Sequence, residues 1–212
     1  MDKVFSVAAP WPDAPDGGGE MFVDLPATPR ELLDVREKLR LSEGETAPFR
    51  VDEFYHFDCL APHLSETYDL PELNALADRL TELDERQATA LAGLVKMDEA
   101  KQGGPIGLPR LVDLAYSTEC CHVVGESLND AQLGRFCAEN GFCPGLDNLP
   151  DEVFDLLDFE RIGREFRREQ SGVLVERTAD HPGGYVERHS DLVQAYKEIN
   201  EQPEQGGMEM SF

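Results

Sequence analysis

The excess of acidic over basic residues is the feature that most limits what this chain can fold into and bind. The sequence holds 43 Asp and Glu residues against 19 Lys and Arg residues, which leaves a formal charge of −24 on 212 residues. Such a charge repels nucleic acids and anionic membranes and attracts basic partners, with faster association at low salt. We therefore expect no direct binding to nucleic acid. Two plainer explanations of the charge stay open, namely solubility and the general acidity of halophile proteins.

The rest of the composition is that of a folded, soluble protein. Apolar residues make up 41% of the chain, which is enough to bury a core. No apolar stretch approaches the roughly 18 residues of a membrane helix, and the N terminus lacks the pattern of a secretory signal. The five cysteines are an odd number in a chain too long to need disulfides, so we expect reduced thiols in a cytoplasmic protein.

The N-terminal part is predicted to be a small α/β unit. Residues 3–8 and 20–25 are β-prone runs on either side of a segment rich in Pro and Gly, which predicts a hairpin. A capping-box pattern then opens a helix over residues 29–39. A third strand is expected at residues 50–57.

The middle of the chain is predicted to be helical. A helix-start pattern occurs at residues 69–71, and four leucines then recur at three- and four-residue steps. Carboxylates fall opposite these leucines on a helical wheel, so one face is predicted to be core and the other acidic. A second helix over residues 85–96 is followed by a Gly-Gly-Pro break. The leucines are Leu73, Leu76, Leu80 and Leu83, and the opposite carboxylates are Asp78, Glu82 and Glu85.

The remainder of the chain alternates predicted helices and strands. We expect helices at residues 109–116, 128–139 and 191–199, and strands at residues 120–124, 172–177 and 184–188.

The most acidic segment is residues 147–160, which contain six carboxylates and no basic residue. If the segment is mostly helical, it carries one carboxylate per roughly 3.5 Å of helix axis. One DNA strand carries a phosphate about every 3.4 Å, and proteins that grip DNA do so mainly through Lys and Arg. An array of carboxylates at this spacing would satisfy those side chains, although acidic helix faces are more often simply solvated. Residues 52–99 extend the acidity, with twelve acids against three bases.

Motifs for catalysis or for metal binding are weak. Cys120, Cys121 and His122 occur in one region with Cys137 and Cys143, but no Cys-x-x-Cys pair is present. There is no local nucleophile motif and no glycine-rich phosphate loop. We therefore predict no catalytic residue, no cofactor and no metal, and the chain is not expected to be an enzyme. Catalysis by a pair of carboxylates stays open as an alternative, because in a chain this acidic the sequence does not indicate which two residues would form the pair.

Four segments resemble the ArdA antirestriction proteins. The most specific is residues 157–165, Leu-Asp-Phe-Glu-Arg-Ile-Gly-Arg-Glu, which is similar to the family's Ile-Asp-Tyr-x-x-Tyr-Gly-Arg-Asp and also precedes two predicted strands. Residues 133–141 resemble a family helix with Ala-Arg-Tyr-Tyr and Glu-Glu-Thr-Gly. Residues 73–91 and 22–26 resemble its central domain and an N-terminal strand. The resemblance covers most of residues 20–190 in order and departs at residues 103–124, at the Pro-rich N-terminal loop and at the tail.

The resemblance implies an elongated molecule of three small α/β domains that dimerises through its ends. By the same resemblance, its acidic surface is expected to copy bent B-form DNA and to occupy the DNA site of type I restriction–modification enzymes. No catalytic residue is implied, and we expect Arg161 and Arg164 to pair with local carboxylates or pack the fold. The predicted fold is α/β (α+β), with short mixed sheets and amphipathic acidic helices. The predicted segments are 1–66, 67–104 and 105–199, with a mobile tail at 200–212.

The predicted function is therefore that of a cytoplasmic, homodimeric inhibitor whose partner is a DNA-binding restriction–modification enzyme. The alternatives are an acidic adaptor or chaperone for a basic DNA-binding partner, an inhibitor of a CRISPR-type effector, and an enzyme with a carboxylate-bound divalent metal. The candidate partner-binding carboxylates are Asp78, Glu82, Asp84, Glu85, Asp147, Asp151, Glu152, Asp155, Asp158 and Glu160.

Overall fold

The computed structural model describes residues 2–11, 18–42, 45–125, 127–146 and 149–197, with Asp151 described by its backbone alone. These residues form a mixed α/β fold with two antiparallel sheets. The strands are β1 (Phe5–Trp11), β2 (Gly19–Leu25), β3 (Pro48–Phe54), β4 (Thr67–Asp69), β5 (Cys121–Val124), β6 (Val173–Val175) and β7 (Gly184–Arg188). The helices are α1 (Pro29–Lys38), α2 (Leu70–Thr81), α3 (Glu85–Gln102), α4 (Leu108–Tyr116), α5 (Asp130–Glu139), α6 (Asp151–Phe154) and α7 (Phe159–Gln170). Single 3₁₀ turns occur at Asp58–Leu60 and Thr118–Cys120.

The N-terminal sheet has the strand order β2-β1-β3-β4. The predicted hairpin is confirmed, because β1 and β2 pair antiparallel with Val7 opposite Val23. The third strand lies at Pro48–Phe54 and ends earlier than predicted. The N–H groups of Tyr55 and His56 both donate to the carbonyl of Val4, at 2.8 and 3.0 Å, so the chain turns away from the ladder at this point. Strand β4 was not predicted.

The helix signals in the first half of the chain are confirmed. Thr28 and Glu31 form the predicted capping box at the start of α1. In α2, Leu73, Leu76 and Leu80 are buried, whereas the carboxylates opposite them are exposed. Helix α3 continues beyond the predicted end and stops at Gly103, which has a left-handed conformation with φ of 69°.

The C-terminal sheet has the order β5-β7-β6 and lies between two helical layers. Strand β7 alternates its faces, so Val186 packs closely on Gly93 of α3 while Tyr185 faces the other side. On that side Tyr185 joins Leu133 and Cys137 of α5 in a small core cluster. The predicted pairing of the last two strands is confirmed by the β6–β7 ladder.

Helices α5 and α7 cross at an unusually close contact made by two glycines. A Cβ atom on Gly134 would lie 1.9 Å from the carbonyl oxygen of Phe159, and a Cβ atom on Gly163 would lie 1.9 Å from that of Asp130. Arg167 clamps the crossing, because its Nε and Nη2 donate to the two carboxylate oxygens of Asp130 at 2.8 and 3.0 Å. This contact fixes the position of the N-terminal end of α7.

The main hydrophobic core includes residues from all three predicted segments. Val7, Leu76 and Val186 belong to it, and so do Leu64 and Ile106 near the predicted boundaries. The boundaries after residues 66 and 104 therefore do not coincide with breaks in the core, and the division into three domains stays a prediction. Across the described ranges, no helix combines the length and the apolar character needed to cross a membrane.

The second half of the chain departs from the sequence interpretation at two helices. The acidic segment is not one helix, since α6 has four residues and the chain turns before α7 begins. Helix α7 itself was not predicted. Of the last predicted helix, residues 195–197 are helical and residues 191–194 are not, while 198–199 and the tail at 200–212 lie outside the described residues.

Candidate acidic interaction surface

Carboxylates lie almost entirely at the surface of this fold. Within the part of the chain that the structure describes, Asp98 is the only buried acidic residue, with 5% of its surface exposed. Arg110 donates from Nε and Nη2 to its two carboxylate oxygens at 2.7 and 3.0 Å. These hydrogen bonds lower the pKa of Asp98 and keep it charged. The negative charge that would face a partner therefore comes from the exposed acids.

The first predicted group lies where α2 gives way to α3, and we call Asp78, Glu82, Asp84 and Glu85 the turn cluster. All four are exposed. Asp84 is the N-cap of α3 and accepts a hydrogen bond from the backbone N–H of Gln87 at 2.8 Å. Its negative charge is also favourable at a helix N terminus. Glu82 follows α2 and pairs with Arg79 at 3.0 Å.

A further carboxylate beside the turn cluster escaped the sequence reasoning. The side-chain amide of Gln87 donates to Glu119 at 2.7 Å, and Arg86 lies 4.0 Å from the same carboxylate. Glu119 is exposed and comes from the short turn before β5, more than thirty positions away from Gln87 in the chain. No local pattern links the two positions, so only the tertiary structure places Glu119 in this group.

The second predicted group lies around α6 and the start of α7. Glu152 and Asp155 are exposed, and Asp158 is the N-cap of α7, where it accepts from the N–H of Arg161 at 3.0 Å. Glu160 is exposed and pairs with Arg164. Asp147 lies outside the described residues, and the side chain of Asp151 does too.

The arginines of α7 make this second group mixed in charge. Arg161 pairs with Glu165 at 3.2 Å and Arg164 pairs with Glu160, which confirms that both arginines meet local carboxylates. Arg167 and Arg168 follow on the same helix. The turn cluster also has arginines beside it, since Arg79 pairs with Glu82 and Arg86 follows Glu85.

The mostly helical conformation on which the regular carboxylate spacing of residues 147–160 depended is not observed in the described part of this segment. Asp158 caps a new helix, and the rings of Phe154 and Phe159 pack with centroids 5.3 Å apart across the intervening turn. Carboxylates before and after this turn consequently belong to different short elements. Resemblance to the phosphate repeat of DNA cannot come from one straight helix here.

The cysteines do not form a reactive or metal-binding centre in this structure. All five are free thiols. Burial raises the pKa of Cys59 to about 11 and that of Cys121 to about 12, which keeps both thiols protonated. Cys121 is buried and His122 is exposed, as successive positions on a strand require, so the two cannot ligate one ion together. Within the described ranges, no group of three or more His, Cys, Asp or Glu side chains is arranged to hold a metal ion.

A scan against protein-family models finds no family that matches this chain, and a search of the curated proteins finds no match. The resemblance to the ArdA proteins stays an expectation drawn from short sequence segments.

Proposed function

We propose that the protein is an antirestriction protein that acts as a mimic of DNA and occupies the DNA-binding site of a type I restriction–modification enzyme. The observation that carries the proposal is the turn cluster, in which four exposed carboxylates lie within eight consecutive residues. Asp98 is the only described carboxylate withdrawn into the interior. A DNA-binding cleft presents Lys and Arg side chains, and these pair with carboxylate oxygens as they do with phosphate oxygens.

The binding energy in this mechanism is shared among many contacts. An exposed ion pair contributes only about 0–1 kcal/mol, so no single carboxylate dominates. Long-range attraction accelerates the encounter, and added salt screens it over about 10 Å at 0.1 M. Inhibition should therefore weaken steadily as salt is raised.

The finer features of the fold belong to the same proposal. The three segments 1–66, 67–104 and 105–199 act as linked small domains of an elongated, cytoplasmic homodimer. The resemblance to ArdA proteins supports this arrangement. A main core that includes residues from all three segments would hold the carboxylates in fixed relative positions, as a mimic of a stiff polymer needs.

A competition assay tests the proposal directly. The protein is added to a type I restriction–modification enzyme bound to labelled target DNA, and DNA release is followed at several salt concentrations. Near-stoichiometric release that weakens with salt is the expected result. Failure to release DNA from the type I enzyme at any salt concentration would refute the proposal.

Two variants of equal charge separate the position of the carboxylates from their number. Loss of four contacts of about 0.3–0.5 kcal/mol each totals roughly 1.5 kcal/mol, so the turn-cluster variant should bind about tenfold more weakly. The control variant should stay close to the wild-type protein. Equal weakening of both would mean that net charge alone is at work. The turn-cluster changes are Asp78→Asn, Glu82→Gln, Asp84→Asn and Glu85→Gln, and the control changes are Asp34→Asn, Glu37→Gln, Glu176→Gln and Asp191→Asn.

An acidic adaptor or chaperone for a basic DNA-binding partner is the second candidate, and an exposed apolar patch favours it. Leu156 is 83% exposed and Val153 is 42% exposed, beside the carboxylates Glu152 and Asp155. Apolar side chains have no counterpart on a phosphate backbone, whereas exposed apolar patches rimmed by polar residues mark contacts between proteins. An adaptor would bind its basic partner without changing restriction or modification in the same assay.

A further inference from the structure

A cavity of about 460 Å³ opens beside the turn cluster. Its apolar wall includes Phe57, Leu80 and Leu83, the last two from the end of α2 and the turn that follows. Two carboxylates also line it, Asp2 from the N-terminal segment and Asp180 from the loop between β6 and β7. The cavity is thus lined by both apolar side chains and carboxylates.

Asp180 is held firmly in place. One of its carboxylate oxygens lies 2.9 Å from Nδ1 of His56, and the other accepts a hydrogen bond from the N–H of Phe57 at 2.8 Å. Phe57 has a left-handed backbone with φ of 60°, which is uncommon for a residue other than glycine and directs its N–H towards the loop. Each carboxylate oxygen has two acceptor positions, so Asp180 keeps acceptor capacity after both contacts are made.

The two hydrogen bonds of Asp180 account for the positions of Asp180 and His56. They assign no role to the open volume or to Asp2. Asp2 is exposed, and it forms no ion pair with any Lys or Arg among the described residues. A ligand that matches this mixed lining needs an apolar stem and a cationic head. Arginine and lysine side chains have this form, and the planar guanidinium of arginine can donate to two carboxylates and stack on a ring such as that of His56.

We propose that this cavity is a binding site for a guanidinium group and that it receives an arginine side chain of a basic protein partner. The charge complementarity of Asp2 and Asp180 selects a cation, and the wall formed by Leu80 and Leu83 accommodates the methylene stem. Identifying the donor with the target restriction enzyme rests on the proposed function, whereas the site itself does not. The cavity then adds a defined anchor to an otherwise diffuse electrostatic contact.

Titration of the full chain with N-acetyl-L-arginine amide, followed by two-dimensional NMR of the backbone amides, tests the site. Saturable shifts are expected at lining residues such as Phe57 and Ala179, and none with the uncharged citrulline amide. Asp2→Asn should weaken binding about threefold, as loss of one exposed ion pair predicts, and Asp191→Asn should leave it unchanged. Absence of saturable shifts, or equal shifts with the citrulline amide, would overturn the proposal.

A blocking variant connects the site to the partner. Ala179 is an exposed residue that lines the cavity, so Ala179→Phe fills it without burdening the core. This variant should lose arginine-amide binding and need several times more protein to release DNA from the restriction enzyme. If arginine-amide binding survives, the site is wrongly located. If binding is lost but DNA release is unchanged, the enzyme is not the donor. Binding by a wild-type protein that releases no DNA would support the site and overturn the proposed function alone.

Discussion

Replacement of Gly134 by alanine should destabilise the protein, although alanine is the better helix former. The gain in helix propensity is about 1 kcal/mol. Against it, the new Cβ would lie 1.9 Å from the carbonyl oxygen of Phe159 and 2.7 Å from the backbone nitrogen of Gly163. Carbon and oxygen normally approach to about 3.3 Å, so α5 and α7 must separate by roughly 1.4 Å.

The expected loss follows from what this separation costs. The obstructing atoms belong to the backbone and cannot rotate away, so the cost of overpacking should be near its upper limit of about 3 kcal/mol. The same movement would stretch the two Arg167–Asp130 hydrogen bonds, now 2.8 and 3.0 Å, at a further cost of about 1 kcal/mol. After the propensity gain is subtracted, the free energy of unfolding should fall by roughly 3 kcal/mol.

Urea unfolding followed by circular dichroism measures this change. Gly163→Ala should behave like Gly134→Ala because its Cβ would meet the carbonyl oxygen of Asp130 at the same distance. Gly104 is the matched control, since a Cβ there would meet nothing within 4 Å, and its replacement should alter stability by less than about 1 kcal/mol. A loss below about 1 kcal/mol for Gly134→Ala would refute the view that the two helices are locked by glycine contact.

Two further predictions concern buried titratable groups. Arg110→Met leaves the carboxylate of Asp98 buried without its ion-pair partner, so it should lower the free energy of unfolding by about 3 kcal/mol. Arg161→Met removes the exposed ion pair with Glu165 and should cost less than about 1 kcal/mol in the same denaturation assay. Burial lowers the pKa of His181 below its usual value near 6.5, so its contribution to stability is present above about pH 6.5 and is lost as the pH falls towards the folded-state pKa. Unfolding measured from pH 7 to pH 5 should therefore show a smaller loss for His181→Gln than for the wild-type protein, and identical losses would contradict this role.

Local signals allowed most of the helices to be predicted from the sequence. The capping box of Thr28 and Glu31 and the leucine spacing of α2 depend only on neighbouring residues, and both occur in the structure as expected. The mixed α/β class also follows from these elements. Helix α7 was not predicted, although Phe159, Ile162 and Phe166 recur at the spacing of one helix face. The helix begins inside the acidic segment 147–160, which was treated as one element, so its own start was overlooked.

The parts of the candidate site that could not be predicted depend on distant contacts. A helical wheel treats residues 147–160 as one element, whereas the packing of Phe154 on Phe159 accompanies a turn between two helices. The contact between His56 and Asp180 joins positions 124 residues apart. Glu119 likewise reaches the turn cluster only through tertiary structure.

For mimicry of DNA, the hydrogen bonds that order the acidic side chains matter more than the number of acidic residues. Asp84 and Asp158 each cap a helix, so a backbone N–H fixes an exposed carboxylate at the N terminus of α3 and of α7. A carboxylate that is already ordered loses less side-chain entropy when a partner binds than one on a mobile glutamate, and more of the ion-pair energy then remains as affinity. Asparagine caps helices as well as aspartate does, so Asp84→Asn and Asp158→Asn remove charge while the helix ends are preserved. An effect of these two changes on DNA release can therefore be assigned to charge at fixed positions. If the acidic residues served solubility alone, their exact positions would not matter.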